Sequence, residues 1–189
     1  MTKYKISLFT PFINYKEKEN VLDCLKTNWI SSKGKYIEKF EKIFCNYVNS
    51  KFAITVNNGT AALHLAILSL GIKKGDEVIV PSFTYIAPVN AIKYVGASVK
   101  FIDSDLNTGQ ILEKEILKKI NKKTKALILP HLYGYVCNLK KIKEICKKKK
   151  IFLIEDCAES FGSFYKNKHT GTFGDIGTFS FFGSKTITS

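Results

Sequence analysis

The chain has 189 residues, 45% of them hydrophobic and 13% aromatic, which is enough for a packed core and fits a single domain. Its net charge of +14 comes from 30 basic residues against 16 acidic ones, and every basic residue is Lys. Without Arg there is no bidentate donor for bases or phosphates, and the lysines fall mostly on polar helix faces, so nucleic-acid binding is not expected.

In chain order, the apolar spacing predicts helices near Glu17–Lys26 and Lys35–Val48, joined by Trp29-Ile30-Ser31-Ser32-Lys33-Gly34. Residues 1–50 are therefore expected to form an N-terminal helical segment. Ala53–Val56 reads as a short buried strand, followed by Asn57-Asn58-Gly59-Thr60 and an apolar helix, Ala61–Leu68, that stops at Gly71. Glu77–Val80 is the next strand, closed by Pro81, and a helix at Ile86–Tyr94 leads into the strand Ser98–Ile102. A helix at Glu113–Ile120, a strand at Ala126–Leu129, a helix at Leu139–Lys149 and strands at Ile151–Ile154 and Thr178–Phe182 complete the pattern. Repeated strand–helix–strand units with continuous apolar strands imply an α/β fold, with a mostly parallel sheet flanked by helices.

Other features narrow the class. No apolar run approaches the ~18 residues of a membrane span, and Met1–Lys5 opens with no apolar leader, so a cytoplasmic protein is expected. Cys24, Cys45, Cys137, Cys146 and Cys157 are scattered and form no CxxC pair, so neither a disulfide framework nor a metal site is expected. Ser189 comes only four residues after Lys185, with nothing to cover the last strand, which reads as the front part of a longer protein.

Chemistry concentrates where strands end. The turn Asn57-Asn58-Gly59-Thr60-Ala61 sits between strand and helix, where free N–H groups and the helix dipole favour an anion; helix capping explains the same residues equally well. In Pro81-Ser82-Phe83-Thr84-Tyr85 an aromatic could stack on a planar ring, or simply pack in the core. Asp156 follows four apolar residues and needs a cationic partner if buried; the alternative is a helix N-cap, with Glu159 completing a capping box. Lys185 differs from the other lysines by following Phe179-Ser180-Phe181-Phe182-Gly183 instead of a polar helix face, a setting that can make an amine nucleophilic. Ser180 could donate to the same ligand. His131 ends another strand, where it could approach a substrate or stay structural. Pyridoxal phosphate needs both kinds of group, a Lys amine at its aldehyde and a carboxylate at its ring nitrogen.

Several blocks in this order resemble the DegT/DnrJ/EryC1/StrS family of pyridoxal-phosphate sugar aminotransferases: Asn58–Leu65, Gly75–Pro81, His131–Gly134, Glu155–Glu159 and Ser180–Lys185. The resemblance implies the large domain of the aspartate-aminotransferase (type I) fold at residues 51–189, incomplete, with the smaller C-terminal domain missing. It implies that Lys185 holds the cofactor covalently and works as the catalytic acid/base, and that Asp156 pairs with the ring nitrogen. Gly59, Thr60, Ala61 and Ser180 would hold the phosphate, Tyr85 would stack on the ring, and Glu159 would touch the cofactor. Trp29, Ser31 and His131 are the substrate-side candidates. Within the family, residues 27–34, residues 81–87 and Glu159 look most like the members that aminate the 4-keto group of GDP-4-keto-6-deoxy-mannose with glutamate. Dehydratase relatives carry His at the Lys position, and Lys185 speaks against that chemistry. The resemblance further implies glutamate and a nucleotide-linked keto-sugar as reactants, in a homodimer with shared active sites. A truncated, non-catalytic regulatory or binding member of the family is the alternative.

Overall fold

The structure, a computed structural model, describes residues 10–188. The opening residues read above for a leader, and Ser189, lie outside the described residues.

Alternation within the strands builds the frame. Five strands, β1 (Glu77–Pro81), β2 (Ser98–Ile102), β3 (Thr124–Pro130), β4 (Phe152–Asp156) and β7 (Ile176–Thr178), form one parallel sheet in the order β2-β1-β3-β4-β7. Side chains along a strand point alternately to opposite faces. Val78, Val80, Ala126, Ile128 and Ile154 accordingly form one core with Leu63 and Ile67 of helix α3 (Gly59–Ser69) and Ala91 and Ile92 of helix α4 (Ile86–Tyr94). Ile79, Leu127, Leu129 and Leu153 form a second core with Ile116 of helix α5 (Glu113–Lys119) and Leu139, Ile142 and Cys146 of helix α6 (Leu139–Lys149). Helices thus cover both faces, which is why the central strands read as unbroken apolar runs.

The N-terminal helices join this frame differently. Helix α1 (Tyr15–Lys26) starts at a capping box in which Glu17 accepts the N–H of Asn14, and it buries no residue. Helix α2 (Lys35–Val48) turns Phe40 and Phe44 onto Phe179 and Phe181, with edge-to-face ring centroids 4.9–6.1 Å apart. A two-residue hairpin, β5 (Phe164–Tyr165) with β6 (Lys168–His169), carries Lys166 and Asn167 at φ 48° and 63°, the paired left-handed geometry of a tight hairpin turn.

Two sequence expectations are corrected. Ala53–Val56 is extended but forms no strand, since no described strand lies beside it to share a ladder. Its Thr55 gives both its N–H and its hydroxyl to Glu41 Oε1 (2.7 and 2.9 Å), while Phe52 and Ile54 are three-quarters exposed. The last strand runs over Ile176–Thr178 instead of Thr178–Phe182. Pairing ends where β4 ends, at Asp156 opposite Thr178, and the next residues leave the sheet for the aromatic cluster on α2.

Candidate functional site

Chain order reverses direction between β1 and β3, so a crevice opens at the carboxyl ends of those strands. That edge gathers most of the residues singled out from the sequence. At α3, the Asn58 side chain accepts the N–H of Ala61 (2.8 Å) and its carbonyl accepts that of Ala62 (3.1 Å). The N–H groups of Gly59 and Thr60 remain without a protein acceptor among the described residues. The capping reading of the turn is realised through the Ala61 N–H, and the two residues before it keep their N–H groups unspent at the positive end of the helix dipole. A Cβ built on Gly59 would sit 3.1 Å from Ser180 Cβ and 3.4 Å from its Oγ, so the hydroxyl faces the start of the helix across a gap only glycine leaves open. The Ser180 hydroxyl and the unspent amides of Gly59 and Thr60 thus lie together at the positive end of the α3 dipole.

At the next position along the edge, Lys185 Nζ lies 3.3 Å from Glu159 Oε1 and 5.9 Å above the ring of Tyr85. Tyr85 caps α4 with its ring two-thirds exposed, leaving a flat face for a planar ligand. The other carboxylate oxygen of Glu159 accepts the N–H of Tyr133 (3.0 Å), a residue held at φ 54° in the turn after β3. A non-glycine residue at positive φ is costly, and Glu159 is the side chain that holds it there. The helix that would have made Glu159 part of a capping box does not form: residues 157–162 are turns, and Asp156 Oδ1 accepts only the N–H of Ala158 (3.1 Å).

Asp156 ends β4 and is only 8% exposed. Burial pushes its carboxyl up to about 6, against the N–H of Ala158 and the nearby His131 and Lys185, which draw it down. It is an acid without a strong cationic partner of its own, which suits a cation brought in by a ligand.

His131 is 1% exposed, and its Nε2 lies 3.0 Å from Glu155 Oε2. Trp29 packs on Gly34 in the α1–α2 connection, and no hydrogen bond ties it or Ser31 to the Lys185 cluster among the described residues.

Glu155 is the residue that sequence reasoning left without a role. Fully buried, it accepts the N–H groups of Phe173 and Gly174 on Oε1 (both 2.7 Å) and of Gly171 on Oε2 (2.9 Å), besides His131. Burial alone would raise its carboxyl, but His131 and these backbone donors hold it below the usual carboxylate range. His131, Glu155 and Cys157 offer ligand atoms within 4.8 Å of one another. As a metal centre the trio fits poorly, because N–H donors already fill both carboxylate oxygens and burial keeps the Cys157 thiol protonated.

A parallel sheet with helices on both faces, an anion cradle at one helix start and a Lys and a buried Asp at the same sheet edge define an α/β protein of the pyridoxal-phosphate type I class. The DegT/DnrJ/EryC1/StrS aminotransferase family profile matches residues 11–189, and the chain belongs to that family. It is 57% identical over 184 residues to the GDP-perosamine synthase of Escherichia coli O157:H7, an alignment covering 97% of this chain and 50% of that protein. The GDP-perosamine synthase of Vibrio cholerae is 47% identical over 184 residues, again 97% of this chain and 50% of that protein. Among solved structures, an aminotransferase from Psychrobacter cryohalolentis superposes with a TM-score of 0.91 at 36% identity, covering 95% of this chain and 46% of that one. The E. coli GDP-4-keto-6-deoxy-D-mannose-3-dehydratase, solved with bound hydrated PLP, superposes with a TM-score of 0.89 at 33% identity, covering 96% and 48%. The chain spans about half the length of the curated relatives it matches.

Proposed function

We propose that the full-length protein is a pyridoxal-phosphate aminotransferase that moves an amino group from glutamate to a nucleotide-linked 4-keto-6-deoxy sugar, with GDP-4-keto-6-deoxy-mannose as acceptor and GDP-perosamine as product. The observation that carries the reading is the convergence of Lys185, Asp156 and the Gly59–Ser180 cradle on one sheet edge. The relatives' names support the sugar, through 57% and 47% identity to two GDP-perosamine synthases.

The residues present fit the cofactor. Gly59, Thr60 and Ser180 would hold its phosphate, with Asn58 capping the same helix through the Ala61 N–H, and Tyr85 would cover one face of its ring. Asp156 would keep the ring nitrogen protonated, and Glu159 would sit beside the reacting end. When bound, pyridoxal phosphate supplies an electron sink for the carbon that exchanges the amino group. Lys185 supplies the amine that anchors the cofactor and, once released, a base and acid that moves one proton between the substrate carbon and the cofactor. Glu159 positions that amine: the 3.3 Å contact fixes Nζ while leaving its other hydrogens free. Trp29, Ser31 and His131 remain the substrate-side candidates. A homodimer with shared active sites is part of the proposal, and helix α1, with Val21, Leu22 and Leu25 more than half exposed, supports it.

The test is incubation of the full-length protein and pyridoxal phosphate with glutamate and a panel of GDP-, UDP- and dTDP-linked 4-keto-6-deoxy sugars. Amination of the GDP-mannose derivative above the others is expected. Preference for a UDP or dTDP sugar would contradict the substrate assignment and leave the aminotransferase reading in place.

A further inference from the structure

Of the six described non-glycine residues at positive φ, three are Asn, and Lys150 and Lys166 lie at a helix end and in a hairpin turn, where left-handed backbone is ordinary. Tyr133 is the exception. It holds φ 54° and ψ 24° and is followed by Gly134 at φ 76°. An aromatic residue in that geometry is strained, and its own packing does not offset the strain, since Tyr133 is 86% exposed. Neighbouring groups impose the geometry instead. Glu159 Oε2 accepts the Tyr133 N–H (3.0 Å), the Ser163 hydroxyl donates to the Gly134 carbonyl (3.0 Å), and the His131 N–H donates to the Asp156 carbonyl (3.0 Å). The 156–163 segment thus clamps the turn and leaves the phenol ring in the open. Strain that the surroundings enforce, around a side chain that packs on nothing, marks a working position.

We propose that Tyr133 contacts the substrate, packing its ring against the hexose of the nucleotide-linked sugar, and that Glu159 positions it by holding the Tyr133 N–H and the Lys185 amine on the two oxygens of one carboxylate. The inference rests on the proposed function and assigns the wall of that site which meets the sugar. Its geometry is direct: Glu159 Oε1 lies 3.3 Å from Lys185 Nζ, so a single carboxylate separates the Tyr133 amide from the amine. A sugar whose keto carbon reaches that amine brings its hexose to this place and leaves its nucleotide further out. The C–H groups on the face of a pyranose carry slight positive charge, and the face of an aromatic ring is negative, so the two surfaces attract. A 6-deoxy hexose, with one hydroxyl fewer, is the more apolar partner. Tyr85, whose ring stands 5.9 Å from the same Nζ, serves the cofactor in this arrangement, and Tyr133 serves the substrate.

The test is calorimetric titration of the full-length protein, loaded with pyridoxal phosphate, with GDP-mannose and GDP and with dTDP-glucose and dTDP. Tyr133→Gly removes the ring and supplies a residue at ease with this backbone, so the variant should melt no lower than the parent. It should bind the nucleotide sugar about tenfold more weakly while binding the free nucleotide as the parent does. Tyr133→Phe keeps the ring and should bind the nucleotide sugar like the parent. Glu159→Ala should also weaken the nucleotide sugar, and combined with Tyr133→Gly it should lose no more than Tyr133→Gly alone, because both act through one ring. Unchanged affinity for the nucleotide sugar, equal weakening of sugar and free nucleotide, or additive losses in the double variant would each overturn the inference. So would a Tyr133→Gly protein that melts below the parent or changes its subunit association, since the ring would then serve the fold or an interface. A parent that prefers the dTDP pair would overturn the GDP assignment alone, and the Tyr133 comparison is then read on that pair. A parent that binds no nucleotide sugar would overturn the proposed function itself, and the inference with it.

Discussion

Ser180 and Gly59, 121 positions apart in the chain, are in van der Waals contact range: any side chain on Gly59 would press on the Ser180 Cβ at 3.1 Å. The contact brings the first turn of α3 to the segment that follows β7, and it defines the width of the anion cradle. Gly59→Ala should favour the helix itself, since Ala exceeds Gly in helix propensity by about 1 kcal/mol. It should nevertheless displace the Ser180 hydroxyl by a few tenths of an ångström. The expected outcome is an unchanged or slightly raised melting temperature together with cofactor affinity reduced roughly tenfold, about 1.4 kcal/mol. Equilibrium titration with pyridoxal phosphate checks it.

Asp156 should cost the cofactor-free protein stability at neutral pH. Burial lifts its folded-state value from 3.8 to about 6, so the folded form favours the protonated acid. Its contribution to stability is thus fully present below about pH 4 and is lost as pH rises through 6. Asp156→Asn removes the charge and retains an oxygen for the Ala158 N–H. The cofactor-free variant should be more stable than the parent at pH 7 to 8, by up to ~3 kcal/mol, with the advantage vanishing near pH 4. The same variant should bind pyridoxal phosphate more weakly and lose most activity. Denaturant titrations at the two pH values, paired with cofactor binding, measure both effects.

Gly177 and Gly174 sit where backbone crosses backbone. A Cβ on Gly177 would run into the Gly171 carbonyl, and one on Gly174 into the Leu153 carbonyl. Neither neighbour is a flexible side chain that could move aside. Gly177→Ala should therefore destabilise the protein by about 3 kcal/mol or more, measured by chemical denaturation, and should loosen Glu155 from its donors. Gly183, whose added Cβ would meet open space, is the control and should tolerate Ala.

Much of this architecture is legible in the residues, for identifiable reasons. Helices α4 and α6 fall where the apolar period places them, because in each one face is buried. Gly71, at φ 71°, ends α3 as its position past the last apolar residue implies. The failures are failures of partnership. Ala53–Val56 has the β-branched composition of a strand, but a strand exists only through its neighbour, and composition does not report one. Phe179 and Phe181 look like strand residues because they are aromatic, yet they serve a cluster with α2, more than 130 residues away. At the site, Lys185, Asp156 and Gly59 stand out by context. Glu155 does not: its partners are backbone N–H groups, which every sequence contains and no motif marks. Its one visible signal is a charge inside an apolar strand, next to a second one.

The central claim is that Lys185 is the amine that holds the cofactor, and covalent trapping tests it most directly. The full-length protein is loaded with pyridoxal phosphate, reduced with borohydride, digested and mapped by mass spectrometry. The account predicts one pyridoxyl-modified lysine, Lys185, even though the chain offers 30 lysines as competitors. A label on any other lysine, or no label on a protein that binds the cofactor, would contradict it.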